Sequence, residues 1–454
     1  MHQRQRVAAG VLLAGLVCAG CTTTQTRIWN CSAALQTGHY ADAARVAEPA
    51  ARSGRRDAAL WLLYAGGARL LEGRLTDTVD ALDAAEAQAH DLARAGALRG
   101  AGHAAAGLLV NDRALPYRPS GHELIFCNLY KALAFAAAGR HDDARVEFNR
   151  ALQRQWNHLD NHAAAIAAEE ERLQGLRRRY QTTGGTETLL QRAEVRSRVA
   201  GTFGVDLEAR ASASAKDDFT NPYLLHAAGL FRWLNGDDGN DALRLAAELL
   251  PDNESVRRDS AEAGTGRPPR RQVWVYVEDG LGPRREERRL DLPLGLVTRD
   301  VLYTGCALPA LVYQPAAADG YRLAGGGQAV PMRRMTDVDR LVKRSFDAWF
   351  RYALLREATR VVVKTAAQVS VRQSRHDTDY WAPAVLALYQ AATTAADVRS
   401  WAGLPKQVFG ARLAWPDDGI LELTDSHGRR RTIPLGNGNN ALVWVRIPGA
   451  QAEP

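Results

Sequence analysis

Four carboxylates crowd one short stretch of the chain: Glu278, Asp279, Glu286 and Glu287. Paired carboxylates can divide acid–base work on a glycosidic bond, one protonating the leaving oxygen while the other acts as base or nucleophile. The same stretch carries Arg284, Arg285, Arg288 and Arg289. Those cations would pair with the acids and keep them ionised, and Glu278-Asp279-Gly280 has the composition of a hairpin turn. The expectation is therefore a turn, and no residue is assigned a catalytic role. Gly325-Gly326-Gly327 precedes neither Lys-Ser/Thr nor a helix, so it is not a phosphate loop. Ser345 and Ser400 have no Gly-x-Ser-x-Gly context. His158 and His162 share a helix face, but a lone i,i+4 pair does not make a metal site, and no Cys-x-x-Cys spacing occurs among Cys31, Cys127 and Cys306. No metal and no cofactor are expected. Trp401, shortly before Leu404-Pro405-Lys406, reads as a core tryptophan, with an exposed recognition loop as the alternative.

Cys21 suggests another chemistry, covalent modification. It follows a basic start (Arg4, Arg6), an apolar run from Val7 to Val17 and the small pair Ala19-Gly20. That order is a secretory signal. Val17-Cys18-Ala19-Gly20-Cys21 resembles a lipobox, usually Leu-Ala-Gly-Cys, with Cys18 where leucine is commonest. The resemblance implies that residues 1–20 are a lipoprotein signal peptide and that Cys21 is diacylglycerated, cut free and N-acylated. Stable anchoring needs more than one acyl chain, which such a cysteine supplies. Val7 to Gly20 is too short to span a bilayer, which takes about 20 apolar residues. Aspartate after the lipidated cysteine favours inner-membrane retention; Thr22 points instead to the cell outer membrane, on its periplasmic face.

The 454 residues suffice for two or three domains, and 46% hydrophobic content supports sizeable cores. The formal charge of +7 falls to +5 when Arg4 and Arg6 leave with the signal. Short runs such as Arg177-Arg178-Arg179 and Arg429-Arg430-Arg431 fit solvated faces and turns, so no nucleic-acid partner is expected. Beyond Cys21 remain Cys31, Cys127 and Cys306, an odd number, read as buried thiols.

The first half shows an internal repeat. Gly38, Gly73, Gly139 and Gly236 each end a helical pattern, and an aspartate soon starts the next helix. Successive glycines lie 35, 66 and 97 residues apart, near multiples of about 33, close to the tetratricopeptide period. The clearest unit, Leu124 to Leu152, places Leu129, Tyr130, Leu133, Ala134 and Ala137 against Ala144, Phe148, Ala151 and Leu152. These pairs resemble tetratricopeptide repeats, so residues 21–256 are expected to be an all-α, tetratricopeptide-like helical array. A further long helix is expected from Asp160 to Tyr180, and a loosely packed polar stretch from Thr186 to Lys216.

Residues 257–271, rich in arginine, glycine and proline, read as a linker. The period then becomes two, and residues 272–448 are expected to form an α+β domain with mainly antiparallel strands. Strands are predicted at 272–278, 287–293, 301–303, 310–313, 321–323, 329–332, 407–413, 419–423 and 441–447, the first two as a hairpin. A strong helix starts at Asp337, and a shorter one spans Ala384 to Thr393.

Val275-Tyr276-Val277-Glu278-Asp279-Gly280-Leu281-Gly282-Pro283, Cys306-Ala307-Leu308-Pro309, Asp218-Phe219-Thr220-Asn221-Pro222-Tyr223 and Ala396 to Lys406 resemble a family of uncharacterised bacterial lipoproteins. The likeness covers most of residues 120–450. It implies no established activity, only a setting near cell-wall assembly. The expected function is non-enzymatic: a lipid-anchored scaffold that holds envelope proteins in its helical groove, in cell-envelope or peptidoglycan assembly. The alternative is a carboxylate-dependent hydrolase of cell-wall glycan.

Overall fold

The computed structural model describes residues 24–53, 56–98, 113, 115–179, 193–207, 219–292, 304–373, 396–436 and 438–449. Cys21, the strand expected at 301–303 and the helix expected at 384–393 lie outside the described residues. The fold mixes helices with antiparallel-rich sheets, an α+β arrangement.

Helices α1 (24–36), α2 (Tyr40–Ser53), α3 (Ala58–Leu71), α4 (Leu75–Leu98), α5 (Gly121–Ala137) and α6 (His141–Arg179) follow one another, then α7 (Ala193–Phe203), α8 (Pro222–Leu234), α9 (Asn240–Leu249) and α10 (Glu254–Ala263). The repeated glycine has a repeated geometry. Gly38, Gly73, Gly139 and Gly236 have φ of 78°, 75°, 72° and 83°, the left-handed region that side chains resist. At each, the glycine N–H donates to the carbonyl three back and the next N–H to the carbonyl five back; at Gly73 these bonds reach Leu70 at 3.0 Å and, from Arg74, Arg69 at 2.9 Å. That is a Schellman stop at each of these four helix ends. The helices α2 to α6, and α8 to α10, pack on their chain neighbours, and α8 returns onto α6.

Three expectations need correction here. The second helix of the Leu124–Leu152 unit does not end before Asp160: α6 is continuous to Arg179, since no glycine or proline stands between Leu152 and Asp160 to stop it. Residues 257–263 of the expected linker are helical. Asn253 caps α10 through Val256 N–H, and Val256, Asp259 and Ala263 form a buried stripe that the neighbouring arginines disguise in the sequence. The stretch 186–216 contains a packed element, α7, whose Val195, Val199 and Phe203 are buried.

Three sheets follow. Strands β10 (Asn440–Ile447), β1 (Gln272–Asp279), β7 (Gln407–Ala414) and β6 (Arg333–Asp337) make the first, in that order. Strands β5 (Gln328–Pro331), β4 (Tyr321–Gly325), β8 (Ile420–Asp425) and β9 (Arg430–Pro434) make another, and β2 (Arg284–Leu292) pairs with β3 (Thr304–Val312) in a ribbon. Every described pairing is antiparallel except β1 with β10. The expected hairpin between β1 and β2 is not formed. β1 lies between β10 and β7 in the middle of its sheet, and seven of its eight residues are buried. The unbroken apolar run Val273–Val277 buries both faces, so the strand belongs at the centre, whereas arginine-rich β2 suits an edge ribbon. Strands β6 and β9, not anticipated, use arginines on exposed positions.

The helix expected from Asp337 is present as α11 (Val338–Gln373), directly after β6. β1 organises the layers. Trp274 and Tyr276 point into the core shared with α2 to α6 and α8 to α10. Val273, Val275 and Val277 point the other way, into a core with Leu323, Leu421 and Leu423 of the second sheet. A third cluster joins α7, the β2–β3 ribbon and α11 through Phe203, Leu308, Phe346 and Phe350.

Candidate functional site

The four carboxylates do not meet in one site. Side chains alternate across a strand, so Glu278 and Asp279 face opposite sides of β1. Both have no exposed surface. Glu278 faces the helices. Tyr130 Oη donates to its Oε2 at 2.9 Å, and Arg446 Nε stands 3.6 Å from the same oxygen. Burial pushes this carboxyl above the usual range, against the pull of Arg446 and of the Tyr130 hydroxyl. The sequence-based view that arginines simply keep it ionised is thus incomplete, because desolvation works against the charge. Asp279 faces the second sheet. Its Oδ1 accepts from Ala317 and Ala318 N–H at 3.1 Å each and from Tyr321 Oη at 2.6 Å, and Gln407 donates to Oδ2 at 3.1 Å. It does not close a hairpin; it pins the loop before β4 to the end of β1. Glu286 pairs with Arg284 at 2.9 Å and Glu287 with Arg289 at 3.4 Å, as anticipated; Glu287 also accepts from Ala396 N–H at 2.9 Å.

Other buried polar groups escaped the sequence reading. Asp259 accepts from His226 Nε2 at 2.9 Å, Trp274 Nε1 at 3.0 Å and Arg412 Nη1 at 2.8 Å, and His226 Nδ1 lies 2.6 Å from Tyr276 Oη. An Asp–His–Tyr chain resembles a relay, but all three side chains are buried and tie α10, α8 and β1 together. Lys131 meets Asp83 at 2.7 Å and Glu147 at 2.9 Å, and also Glu86. Lys131, His226 and Arg412 are polar residues inside apolar runs, and that is the signal that could have found them. Cys31 and Cys127 are buried free thiols, and burial pushes each up to about 12, so neither is a nucleophile near neutral pH. Trp401 is buried against Tyr130, ring to ring at 5.8 Å. Among the described residues no cluster of histidine, cysteine, aspartate and glutamate could hold a metal ion.

An open cleft remains, of about 550 Å³, between the first turn of α5, the middle of α6 and α11. His158 and Ser345, set aside in the sequence, meet there, Nε2 to Oγ at 3.4 Å. Gly121 permits this. A Cβ at that position would fall 2.0 Å from His158 Nδ1, so only glycine lets the imidazole lie on the helix start. Ser120 Oγ bonds His122 Nε2 at 3.0 Å, and Glu123 folds back to Ser120 N–H at 2.6 Å. Arg285 enters from β2 and lies over Phe346 and Trp349, 5.8 and 5.7 Å from the ring centres. None of the four carboxylates lines this cleft.

Comparison with protein-family models, with curated proteins and with solved structures gave no match.

Proposed function

We propose that the chain is an outer-membrane lipoprotein, tethered through Cys21 on the periplasmic face, and that its helical array holds envelope proteins during cell-envelope or peptidoglycan assembly. The observation that carries this reading is the order of helix packing. Helices α2 to α6 stack on their sequence neighbours, and four glycine stops of one geometry separate helix from helix. Nearest-neighbour stacking of helix pairs is the habit of tetratricopeptide-like solenoids, which offer protein-binding surfaces. Val146 and Trp156 of α6 support it further, each leaving almost half its surface exposed.

The test has two arms. Cys21→Ser should leave the outer-membrane fraction, and its retention there after signal cleavage would end the anchor reading. A photocrosslinking residue at Val146 or Trp156 should capture discrete envelope proteins in intact cells, whereas one at Ile420, equally exposed on β8, should not. Equal labelling from all three positions, or glycan cleavage by the purified protein, would overturn the scaffold reading.

A further inference from the structure

We infer that the cleft between α5, α6 and α11 binds a small ligand carrying one oxyanion, carboxylate or phosphate, on a planar or apolar body. This site goes beyond the helical-array reading and does not depend on it.

The sign of the ligand follows from the lining. Arg118, Arg154, Arg285, His122 and His158 contribute to it, and among the described residues no aspartate or glutamate does. The first turn of α5 adds the positive end of a helix dipole. Arg285 is the anchor. Its neighbour Arg284 is engaged by Glu286, and Asp397, the acid that feels Arg285, is held by Arg399 at 2.7 and 2.8 Å. Arg285 itself makes no hydrogen bond or ion pair among the described residues, and the two indole and phenyl faces are its contacts. A guanidinium held flat by aromatic faces keeps its fork of donors free, and that fork matches carboxylate and phosphate in bidentate geometry. Arg154 adds a second cation: one Nη is bound to Glu86, while Nη1 is buried without a hydrogen bond.

Size and polarity define the rest of the ligand. About 550 Å³ lies in the range of small-molecule sites, not of protein docking faces. Leu124, Val342, Phe346 and Trp349 supply an apolar wall beside the cations. A ligand of one charge on a ring or short apolar chain would satisfy both halves.

The experiment uses the full chain purified in detergent and isothermal titration with phenyl phosphate, N-benzoylglycine and the neutral N-benzoylglycinamide. Both anions should bind saturably, and the amide at least about tenfold more weakly, the worth of one charge-assisted hydrogen bond. The tighter of the two anions tells whether the natural ligand is phosphorylated or carboxylated. Arg285→Ala should weaken both anions by about tenfold or more, and Arg285→Lys by less. If Arg285→Ala does not fold, Arg285→Gln keeps a planar head on the rings without the charge and gives the same reading. Binding of the amide as tight as that of the acids, no saturation at millimolar anion, or unchanged affinity in a folded Arg285 variant would overturn the site. Failure of crosslinking or of membrane anchoring would leave these titrations unaffected.

Discussion

Lys131 has no exposed surface, yet its ammonium is held among Asp83, Glu86 and Glu147. The three acids more than offset burial and draw its pKa above the ordinary lysine value. Removing the cation would leave Glu147, almost wholly buried, and Glu86 facing each other with only Arg150 and Arg154 at their outer oxygens. Lys131→Met should therefore cost about 3–5 kcal/mol in chemical denaturation, far more than the loss of a surface ion pair. A cost below about 1 kcal/mol would mean that the acids find water or other partners. Asp339 shows the opposite balance. Burial dominates and pushes its carboxyl from 3.8 up to about 6, although Lys406 pairs with it. Asp337 raises it further. A folded pKa above the unfolded one means that the folded state holds the proton more tightly. Asp339 thus favours folding most at pH below about 4, and that contribution is lost as pH rises through about 6. Asp339→Asn cannot titrate. Its stability relative to the parent should rise by up to about 3 kcal/mol between pH 4 and 6, read from urea titrations at each pH. Parallel curves for the two proteins would refute the burial argument.

Helix ends and helix crossings use glycine for different reasons, and substitution separates them. Gly139 has φ 72° and open space around its missing Cβ, so Gly139→Ala should cost about 1–2 kcal/mol of backbone strain. At Gly239 a Cβ would fall 2.2 Å from the backbone carbonyl oxygen of Gly229, where α9 crosses α8. Backbone cannot rotate away, so Gly239→Ala should force the two helices apart and cost more than Gly139→Ala. Thermal unfolding of the pair checks the order, and equal shifts would mean that the crossing is soft. The same distinction explains what the sequence made legible. Gly38, Gly73, Gly139 and Gly236 act within a few residues of themselves, so spacing alone located four helix ends. Most strands and α11 were readable for the same reason, because their period is local. The partners of β1 were not. A hairpin with β2 is the nearest pairing in sequence, but β1 is buried on both faces and pairs with strands beginning at Gln407 and Asn440. The cleft is equally non-local: Gly121, His158, Arg285 and Ser345 come from four distant segments, and each alone looked like surface or filler.

At the scale of the whole molecule, the two halves share one core. Leu60, Tyr64 and Phe126 from the helices and Trp274, Tyr276, Met335 and Val408 from the sheet side belong to a single buried cluster. Polar links cross the same boundary. Tyr64 Oη donates to Ser400 carbonyl at 3.1 Å and accepts from Ala402 N–H at 3.0 Å; Glu123 accepts Trp401 N–H at 2.6 Å; Arg399 Nη1 reaches Asp57 at 2.7 Å. Each link leaves an unsatisfied buried group if the halves part, so separation is costly at many points together. Far-ultraviolet dichroism, dominated by helix, and tryptophan fluorescence, which also reads the sheet side, should therefore follow one denaturation curve. Trp401→Ala gives the sharper test, because this side chain lies against Gly67 of α3 on one side and Tyr130 of α5 on another. The cavity should cost about 3–5 kcal/mol. With a shared core, that loss shifts both signals by the same amount. Proteolysis within 264–271, where α10 has ended and β1 has not begun, should leave the two fragments associated until denaturant is added. A variant whose fluorescence midpoint falls while its helix midpoint stays would instead show two units that fold independently, and the linker expected at 257–271 would then separate them in fact.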